Sequence, residues 1–223
     1  MKVTAIVAAG GRGARFGADR PKQLLTLGGR PILQHSVETF LRCGRVDDVV
    51  VALPVEVVAE PPAYLTHARV QIVAGGRRRQ DSVANAFAVA APRADIVVVH
   101  DAARPFVTDA LIGRTVDAAG QFGAAIAAIP AHDTVKRGSA ERFIVETVPR
   151  DTMFLAQTPQ AFRTGVLQQA LASADAGDAT DEATLVERAG HPVKLVEGDA
   201  RNIKITTPED LVMAERKIGR AHV

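Results

Sequence analysis

The sequence predicts an α/β fold built on a parallel sheet, and two observations favour it. Up to Pro130, short apolar runs alternate with segments of helical periodicity. Two of these runs, Val49-Val-Val-Ala-Leu53 and Ile96-Val-Val-Val99, are apolar at every position rather than at every second one. Such strands are covered on both faces, which is typical of a parallel sheet between two layers of helices. The chain of 223 residues suffices for one such domain, so we expect a single domain over residues 1–223.

The elements up to Pro130 alternate regularly. We predict strands at Val3–Ala8, Asp48–Leu53, Val70–Ala74, 95–100 and 123–129. Between them we predict helices at residues 31–41, 55–65, 81–91 and 108–122. The helix over 81–91 is expected to pack on the sheet through the face that carries Val83, Ala86, Phe87 and Ala90.

The pattern changes after Pro130. Residues 132–150 contain two β-like runs around Gly138, which predicts a hairpin that projects from the sheet; we call it the β-arm. Helices are expected again near residues 164–173 and 181–189, with strands near 193–197 and 202–205. The last helix has a clear start signal, with Thr207 as N-cap, Pro208 at the first helical position and Asp210 at the third.

Composition excludes several classes of protein. The formal net charge of +2 is too small to predict a nucleic-acid-binding surface. Cys43 is the only cysteine, which rules out an intramolecular disulfide and a cysteine-built zinc site. The sequence has no signal-peptide pattern and no apolar run of transmembrane length. We therefore expect a cytoplasmic protein without a nucleic-acid or membrane partner.

The most informative motif is the glycine-rich loop that follows the first strand. It carries Gly10, Gly11, Gly13 and Gly17, with the cations Arg12, Arg15 and Lys22 among them. Glycine lets backbone N–H groups turn towards an anion, and the cations would neutralise it, so the loop predicts a polyphosphate site. It lacks the spacing of an ATPase P-loop and of a dinucleotide fingerprint. The alternative is an ordinary turn with surface arginines.

A second motif, Val99-His-Asp-Ala-Ala-Arg-Pro105, leaves the carboxyl end of a buried strand, where open α/β sheets bind ligands. An aspartate in this place can hold Mg²⁺ directly or through water, which makes Asp101 a candidate metal ligand. Alternatively, Arg104 pairs with Asp101 and closes the turn. We expect His100 to be a hydrogen-bonded support rather than a catalytic base.

Two further groups follow later strands. In Gly75-Gly-Arg-Arg-Arg-Gln-Asp-Ser82, backbone and hydroxyl donors suit a base, ribose or phosphate, and we expect the glycines and Ser82 to matter more than the three arginines, which are usually solvated. The other group is dispersed: Thr134, Arg150, Thr180-Asp-Glu182 and Asn202-Ile-Lys-Ile-Thr206. Its cations Arg150 and Lys204, with two threonines, would suit a second phosphate, although a lone lysine in a strand is usually a solvated edge charge.

Six motifs in a fixed order identify a family. They are Ala8-Ala-Gly10 with Arg15 and Pro21-Lys-Gln23, Val99-His-Asp-Ala-Ala-Arg104, Asp133-Thr134, Gln157-Thr-Pro-Gln160, Thr180-Asp-Glu-Ala183 and Asn202-Ile-Lys204. In these the chain resembles, over essentially its whole length, the 2-C-methyl-D-erythritol 4-phosphate cytidylyltransferases of non-mevalonate isoprenoid synthesis. One departure is that the loop Gly10-Gly-Arg-Gly-Ala-Arg15 carries one residue more than the family's Ala-Ala-Gly-x-Gly-x-Arg.

The resemblance implies a Rossmann-like nucleotidyltransferase, with helices on both faces of a mostly parallel sheet and a β-arm that embraces a second subunit in a homodimer. It implies that CTP and a sugar-alcohol phosphate, methylerythritol phosphate, are joined with release of pyrophosphate, and that Mg²⁺ or another divalent cation lies near Asp101. Arg15 and Lys22 would stabilise charge on the reacting phosphates, and Arg150 and Lys204 would hold the attacking phosphate. The implied substrate contacts are Ala8, Ala9, Gly10, Gly13, Gly76, Ser82, Ala102, Arg104, Thr134, Thr158 and Thr180.

Two other functions stay open from the sequence. One is transfer to a related acceptor by an enzyme of the same fold, such as a ribitol 5-phosphate cytidylyltransferase. The other is a catalytically silent nucleotide-binding regulator, against which the intact Arg15, Lys22, Asp101 and Lys204 argue.

Overall fold

The computed structural model describes residues 1–11, 22–173 and 178–219. Within these ranges the strands are, in chain order, β1 (Val3–Ala8), β2 (Thr26–Leu27), β3 (Arg30–Pro31), β4 (Asp48–Leu53), β5 (Val70–Ala74), β6 (Ile96–Asp101), β7 (Ala124–Pro130), β8 (Val135–Gly138), β9 (Ile144–Val148), β10 (Phe154–Arg163) and β11 (Lys194–Glu197). The helices are α1 (Ile32–Arg42), α2 (Val55–Val58), α3 (Arg79–Ala90), α4 (Asp109–Phe122), α5 (Thr164–Ala172), α6 (Glu182–Arg188) and α7 (Pro208–Gly219).

A mostly parallel sheet forms the centre of the fold. Its strand order is β11-β7-β10-β6-β1-β4-β5. Strands β6, β1, β4 and β5 run parallel to one another, and β11 runs parallel to β7. β10 is antiparallel to both β6 and β7. The carboxyl ends of β1, β4, β5 and β6 therefore meet at one edge of the sheet, which is where ligands bind in folds of this kind.

Two apolar layers cover the sheet, as the continuous apolar strands predicted. On one face, Val7, Val51 and Val98 pack with the buried side chains of α1 and α4, among them Phe40 and Ile112. On the other face, Ile6, Val50 and Val99 pack with α3, α5 and α6. The α3 side chains in that layer are those of the predicted face, namely Val83, Ala86, Phe87 and Ala90. The helices on both faces of the sheet confirm the predicted fold class.

The β-arm of residues 132–150 is present as the predicted hairpin. β8 and β9 pair antiparallel and form a two-stranded sheet separate from the central one. Its base is closed by the backbone hydrogen bond from Ala131 N to Met153 O, 2.9 Å long. The arm exposes large apolar side chains: Phe143 is 75% exposed and Ile144 is 68% exposed.

The start of the last helix is also confirmed. Thr207 and Asp210 form a reciprocal cap, in which Thr207 N donates to Asp210 Oδ2 at 2.9 Å and Asp210 N donates to Thr207 Oγ1 at 3.3 Å. This pairing satisfies backbone N–H groups that a helix start otherwise leaves without partners. The helix then packs through Ala214 on Leu27 and Ile32, a small third core beside the main sheet.

Two predictions about elements were wrong, and one long strand was missed. The single helix over 55–65 is two short turns, α2 and a 3₁₀ turn at Ala63–Leu65, because Pro61 and Pro62 interrupt the helical hydrogen bonding. Residues 202–205 form no strand ladder but an irregular connection. Strand β10, with ten residues, was missed, since the polar run Gln157-Thr-Pro-Gln160 interrupts its apolar pattern.

No helix in the described part of the chain has both the length and the hydropathy that crossing a membrane requires.

Candidate active site at the carboxyl edge of the sheet

Two cavities open side by side at the carboxyl edge of the sheet. The first, which we call the glycine cavity, has a volume of about 610 Å³ and is lined by Gly10, Gly11, Pro54, Val55, Glu56, Gly75, Gly76, Arg77, Arg78, Arg79 and Ser82. The second, the charged cavity, has a volume of about 180 Å³ and is lined by Arg79, Asp101, Arg104, Ala156, Gln157, Thr158, Gln160, Thr180, Asp181 and Lys204. Arg79 belongs to both linings and so lies on the boundary between the cavities.

The glycine cavity depends on a close approach of two backbone segments. The loops that follow β1 and β5 meet so closely that a Cβ on Gly75 would lie 2.8 Å from the Cα of Gly10. No side chain fits there, which gives both glycines a steric reason beyond backbone freedom. Ser82 braces the β5 loop, because its Oγ accepts from Gly76 N at 2.9 Å and donates to Arg78 O at 3.2 Å. The cavity wall is therefore mostly backbone.

The buried amide of Gln23 closes the described end of the glycine loop. Its Nε2 donates to Ala9 O at 2.5 Å and to Gly11 O at 3.0 Å. Both acceptors lie just after β1, so Gln23 connects the segment that follows β1 to the segment that begins at residue 22. Of the loop residues predicted to bind substrate or to catalyse, Gly13 and Arg15 lie outside the described residues, as does the side chain of Lys22.

The charged cavity is organised around one carboxylate with three cations. Arg79 Nε donates to Asp101 Oδ1 at 2.9 Å, and Lys204 Nζ lies 2.7 Å from Asp101 Oδ2. Arg104 Nε lies 3.8 Å from the same Oδ2. Arg104 also closes the turn after β6, since its backbone N donates to Asp101 O at 3.0 Å. The pairing of Arg104 with Asp101 that the sequence offered as an alternative is thus present.

These cations keep Asp101 ionised despite its burial. Desolvation alone would raise the pKa of Asp101, but the charges of Arg79, Lys204 and Arg104 outweigh it and hold the pKa well below its usual range. Burial alone would likewise lower the pKa of Arg79, and the carboxylates of Asp101 and Glu182 outweigh it, so that pKa lies above its usual value. The cluster is therefore a fixed set of charges at neutral pH.

Glu182 is a buried carboxylate that pairs with Arg79 of the cluster. This side chain is 1% exposed, and both of its oxygens accept from Arg79 Nη1, at 2.7 and 2.9 Å. Burial raises the pKa of Glu182 and Arg79 opposes that shift. Removing one member of a buried ion pair leaves an uncompensated charge and costs about 3–5 kcal/mol of folding free energy. The Nη2 atom of Arg79 is itself buried and has no hydrogen-bond partner among the described residues.

His100 is a neutral support, as its motif predicted. Arg104 O can only accept, so in the neutral ring Nδ1 is the acceptor and the Thr158 hydroxyl donates to it at 3.0 Å, while the same hydroxyl oxygen accepts from Asp101 N, also at 3.0 Å. The other ring nitrogen, Nε2, then carries the proton and donates to Arg104 O at 3.1 Å. The ring is completely buried, and desolvation lowers the pKa of His100 to about 4. The imidazole thus fixes the turn that presents Asp101 and Arg104.

The connection that carries Lys204 is fastened to β10 and to the β6 turn. Arg104 Nη1 donates to Asn202 O at 2.8 Å, and Asn202 Nδ2 donates to Thr158 O at 2.8 Å. Ile205 N donates to Ala103 O at 2.8 Å. These contacts hold the backbone on both sides of Lys204, which explains how a segment without a strand ladder presents its ammonium group to Asp101.

The predicted residues fall into three sets. Gly10, Gly76 and Ser82 line the glycine cavity, with Ala8, Ala9 and Ala102 at the adjoining strand ends; Ala102 N donates to Ala8 O at 3.2 Å. Asp101, Arg104, Thr158, Thr180 and Lys204 line the charged cavity. Thr134 and Arg150 are exposed at the base of the β-arm and line neither cavity; Arg150 Nη1 donates to His132 O at 2.5 Å.

The sequence argument missed Arg79 and Glu182. The run Arg77-Arg-Arg79 was interpreted as a solvated surface, whereas Arg79 enters the site at the first residue of α3. Glu182 was noted only as part of the motif Thr180-Asp-Glu182. The signal that joins them is a tertiary contact across 103 residues, which no local pattern reveals.

A mostly parallel sheet with a backbone-walled cavity beside a cation-rich one defines a class of protein. The first cavity suits a nucleotide and the second a phosphate-bearing partner, which is the site of a nucleotidyltransferase. A family model described as 2-C-methyl-D-erythritol 4-phosphate cytidylyltransferase matches residues 3–220. The chain belongs to this family and is a nucleotidyltransferase.

Individual relatives agree with the family assignment. The chain is 46% identical, over 96% of its length and 94% of the relative's, to a 2-C-methyl-D-erythritol 4-phosphate cytidylyltransferase from Syntrophus aciditrophicus. It is 44% identical to the protein of that name from Geotalea uraniireducens, over 96% of each chain. The crystal structure of the protein of that name from Thermus thermophilus matches with a TM-score of 0.82 and 38% identity, over 97% of this chain and 98% of that one.

Proposed function

We propose that the protein transfers the cytidylyl group of CTP to 2-C-methyl-D-erythritol 4-phosphate, forming 4-diphosphocytidyl-2-C-methyl-D-erythritol and pyrophosphate. The observation that carries the proposal is the pair of adjoining cavities with Arg79 on their boundary. CTP would occupy the glycine cavity, with its triphosphate towards the glycine loop. The acceptor would occupy the charged cavity, so that the two phosphates meet where the cavities adjoin.

The reaction needs charge stabilisation rather than a base. An oxygen of the acceptor phosphate, already anionic at neutral pH, attacks the α-phosphorus of CTP. The bond from the α-phosphorus to the bridging oxygen breaks, and pyrophosphate leaves with that electron pair. The barrier is the repulsion between anions and the charge that develops on the reacting phosphates. We assign Arg15 and Lys22 to that charge, and Lys204 and Arg150 to the acceptor phosphate.

The remaining assignments follow the cavity walls. Backbone and small side chains around the glycine cavity would contact cytosine and ribose, and a close wall suits a pyrimidine better than a purine; these are Ala8, Ala9, Gly10, Gly13, Gly76, Ser82 and Ala102. Arg104, Thr158 and Thr180 would contact the hydroxyl groups of the acceptor, since they line the charged cavity. Thr134 joins Arg150 on the acceptor phosphate.

Asp101 is the residue that we assign to a divalent cation. Among the described residues no three His, Cys, Asp or Glu side chains come together as metal ligands. Mg²⁺ in nucleotide sites commonly needs only one or two carboxylates, because phosphates and water complete its shell. An ionised carboxylate at a strand end fits that donor set, and an ion that arrives with the nucleotide would take the place of one of the cations that pair with Asp101. When bound, the ion would neutralise triphosphate charge.

We further propose that the protein works as a homodimer through its β-arm. An isolated hairpin is marginal in water, and this one exposes Phe143, Ile144 and Val145, the last 63% exposed. Thr134 and Arg150 line neither cavity of their own chain, so a two-fold arrangement that brings them to the partner's charged cavity would give them their proposed role. The organisation proposed is one domain, 1–223, in the cytoplasm, without nucleic-acid or membrane partners.

A substrate panel tests the proposed function. Pyrophosphate release would be measured with CTP, UTP, ATP or GTP, each with methylerythritol phosphate or ribitol 5-phosphate. We expect turnover with CTP and methylerythritol phosphate to exceed every other pair. Preference for ribitol 5-phosphate would show that the acceptor is ribitol 5-phosphate rather than methylerythritol phosphate. Binding of CTP without turnover would indicate a catalytically silent regulator.

Lys204 offers a sharper test of the acceptor site. Lys204→Ala should raise the KM for methylerythritol phosphate at least about tenfold, because it removes a charge-assisted contact to phosphate. The KM for CTP should change much less. Lys194→Ala, on the exposed strand β11, is the matched control. A selective rise of the KM for CTP in Lys204→Ala would contradict the assignment.

A further inference from the structure

Arg79 has an unusual position among the residues of the site. It lines both cavities, and its guanidinium is engaged on two of its three nitrogens. Nε donates to Asp101 Oδ1 at 2.9 Å, and Nη1 donates to both oxygens of Glu182. The third nitrogen, Nη2, is buried without a partner among the described residues. A buried donor without an acceptor is unfavourable, so the guanidinium is held in this place by its contacts to the two carboxylates.

Among the described residues, the Glu182 carboxylate contacts the site only through Arg79. Its carboxylate is buried at the start of α6, and Arg79 lies between it and Asp101. Asp181, the preceding residue, lines the charged cavity and has other partners: its Oδ1 accepts from Thr184 N at 3.0 Å and its Oδ2 from Gln160 Nε2 at 2.7 Å. A contribution of Glu182 to the reaction would therefore pass through the guanidinium.

We propose that Glu182 and Arg79 form a positioning pair that sets the orientation of Asp101. This inference rests on the proposed function. Glu182 fixes the plane of the Arg79 guanidinium through two hydrogen bonds to one nitrogen, and Arg79 fixes Asp101 through Oδ1. The other carboxylate oxygen, Oδ2, is thereby directed to Lys204 and the charged cavity. The pair thus aligns the acceptor with the nucleotide, although Glu182 itself contacts no substrate.

A positioning role of the pair can be distinguished from a purely structural one by comparing stability with activity in single and double variants. A buried ion pair contributes little stability relative to an uncharged pair of similar size, whereas losing one partner alone is strongly destabilising. Removing both partners should therefore restore much of the stability that Arg79→Met alone loses. It should not restore activity, because Asp101 still lacks its donor.

The experiment is a double-mutant cycle with two readouts. Arg79→Met, Glu182→Gln and the double variant would be compared for melting temperature, for CTP affinity by calorimetry, and for kcat and the KM of methylerythritol phosphate in pyrophosphate release. We expect kcat/KM for the acceptor to fall about tenfold to a hundredfold in all three variants, since small misplacements of reacting groups have effects of that size. CTP affinity should stay within a few-fold in Glu182→Gln, since Glu182 lines neither cavity. The double variant should melt above Arg79→Met.

Two further measurements complete the design. Arg79→Lys keeps the charge but loses the planar fork, so it should fold and still fail to restore kcat/KM. The exposed pair Arg45–Asp117 provides a parallel cycle, Arg45→Met and Asp117→Asn, in which activity should not change. Activity that returns with stability in the double variant, or normal kcat/KM in Glu182→Gln, would overturn the proposal. Absence of wild-type turnover would instead refute the proposed function.

Discussion

The charged cavity buries charged side chains, whereas the β-arm exposes apolar ones; both are exceptions to the usual burial of apolar and exposure of charged residues. Around the cavity, carboxylates are buried: Asp101 is 7% exposed and Glu182 is 1% exposed. On the arm, apolar side chains are exposed, with Phe143 at 75%. Charged residues are almost never fully buried unless paired, and large exposed apolar patches usually mark interfaces.

The difference lies in where each region finds its partners. Each buried carboxylate of the site is paired within the same chain, Asp101 with Arg79 and Lys204, and Glu182 with Arg79. In the described part of the chain, β8 and β9 form a ladder only with each other. The buried carboxylates of the site are therefore paired within one chain, whereas the apolar side chains of the arm stay exposed in it. The two regions should respond to different perturbations.

The largest effect is expected from removing the central charge of the cluster. Asp101→Asn should lower kcat/KM at least about a hundredfold, because three cations lose the carboxylate that orients them. Steady-state pyrophosphate release measures it, and Asp117→Asn on the surface is the matched control. Activity within about threefold of the parent would show that the cluster is a structural feature only.

The next effect concerns the arm and should depend on protein concentration. Phe143→Asp with Val145→Asp changes the arm's exposed apolar residues and leaves Thr134 and Arg150 in place. Burying charge in an apolar interface is costly, so we expect the dimer to dissociate and activity at assay concentration to fall at least about tenfold. Light scattering and activity across a dilution series would be measured together.

A control for the arm variant lies elsewhere on the surface. Met213→Asp on α7 changes an apolar side chain that is 62% exposed, and it should leave both assembly and turnover unchanged. A monomeric arm variant with full activity would contradict the shared site. A parent protein that is fully active as a monomer would do the same.

The sequence predicted one part of the fold closely. Strands β1, β4 and β5 have the predicted bounds, and in the buried strands β1 and β4 the reason is that a strand covered on both faces is almost continuously apolar. The helix over 55–65 failed because its two prolines cannot donate within a helix. β10 was missed because its central residues serve the site: Gln157 Nε2 donates to Asp199 O at 2.9 Å, and Thr158 supports His100. Polar residues inside a strand hide its pattern.

The lining of the two cavities was predictable where its residues lie close together in the sequence. Glycines, Asp101 and Lys204 stand next to strand ends or in motifs, so the sequence indicated them. Arg79 and Glu182 were missed because nothing in the local sequence shows which of three consecutive arginines is buried. Only the packing of α3 against α6 and β6 distinguishes Arg79 from Arg77. Burial and pairing are properties of the tertiary structure, and they determine which of three arginines enters the site.

The last expected effect is on stability rather than on turnover, and it again separates the cluster from the arm. His100 has a pKa of about 4 in the folded protein, against 6.5 ordinarily, because burial disfavours the imidazolium. Protonation at Nδ1 would also end the hydrogen bond that Thr158 donates. Between those pH values the unfolded chain binds more protons, so folding stability is complete above pH 6.5 and declines as the pH falls towards 4. The span corresponds to about 3 kcal/mol.

Chemical denaturation between about pH 4 and 7 measures this dependence as a difference between the parent and His100→Gln. Glutamine can donate to Arg104 O and accept from Thr158 without titrating, so the variant should lose the decline while other groups titrate equally in both proteins. The arm variant Phe143→Asp with Val145→Asp should keep the decline, because the arm and His100 share no contact in the described residues. Equal pH profiles for the parent and His100→Gln would show that the imidazole is not held neutral. The assignment of His100 as a neutral support of the cluster would then be wrong.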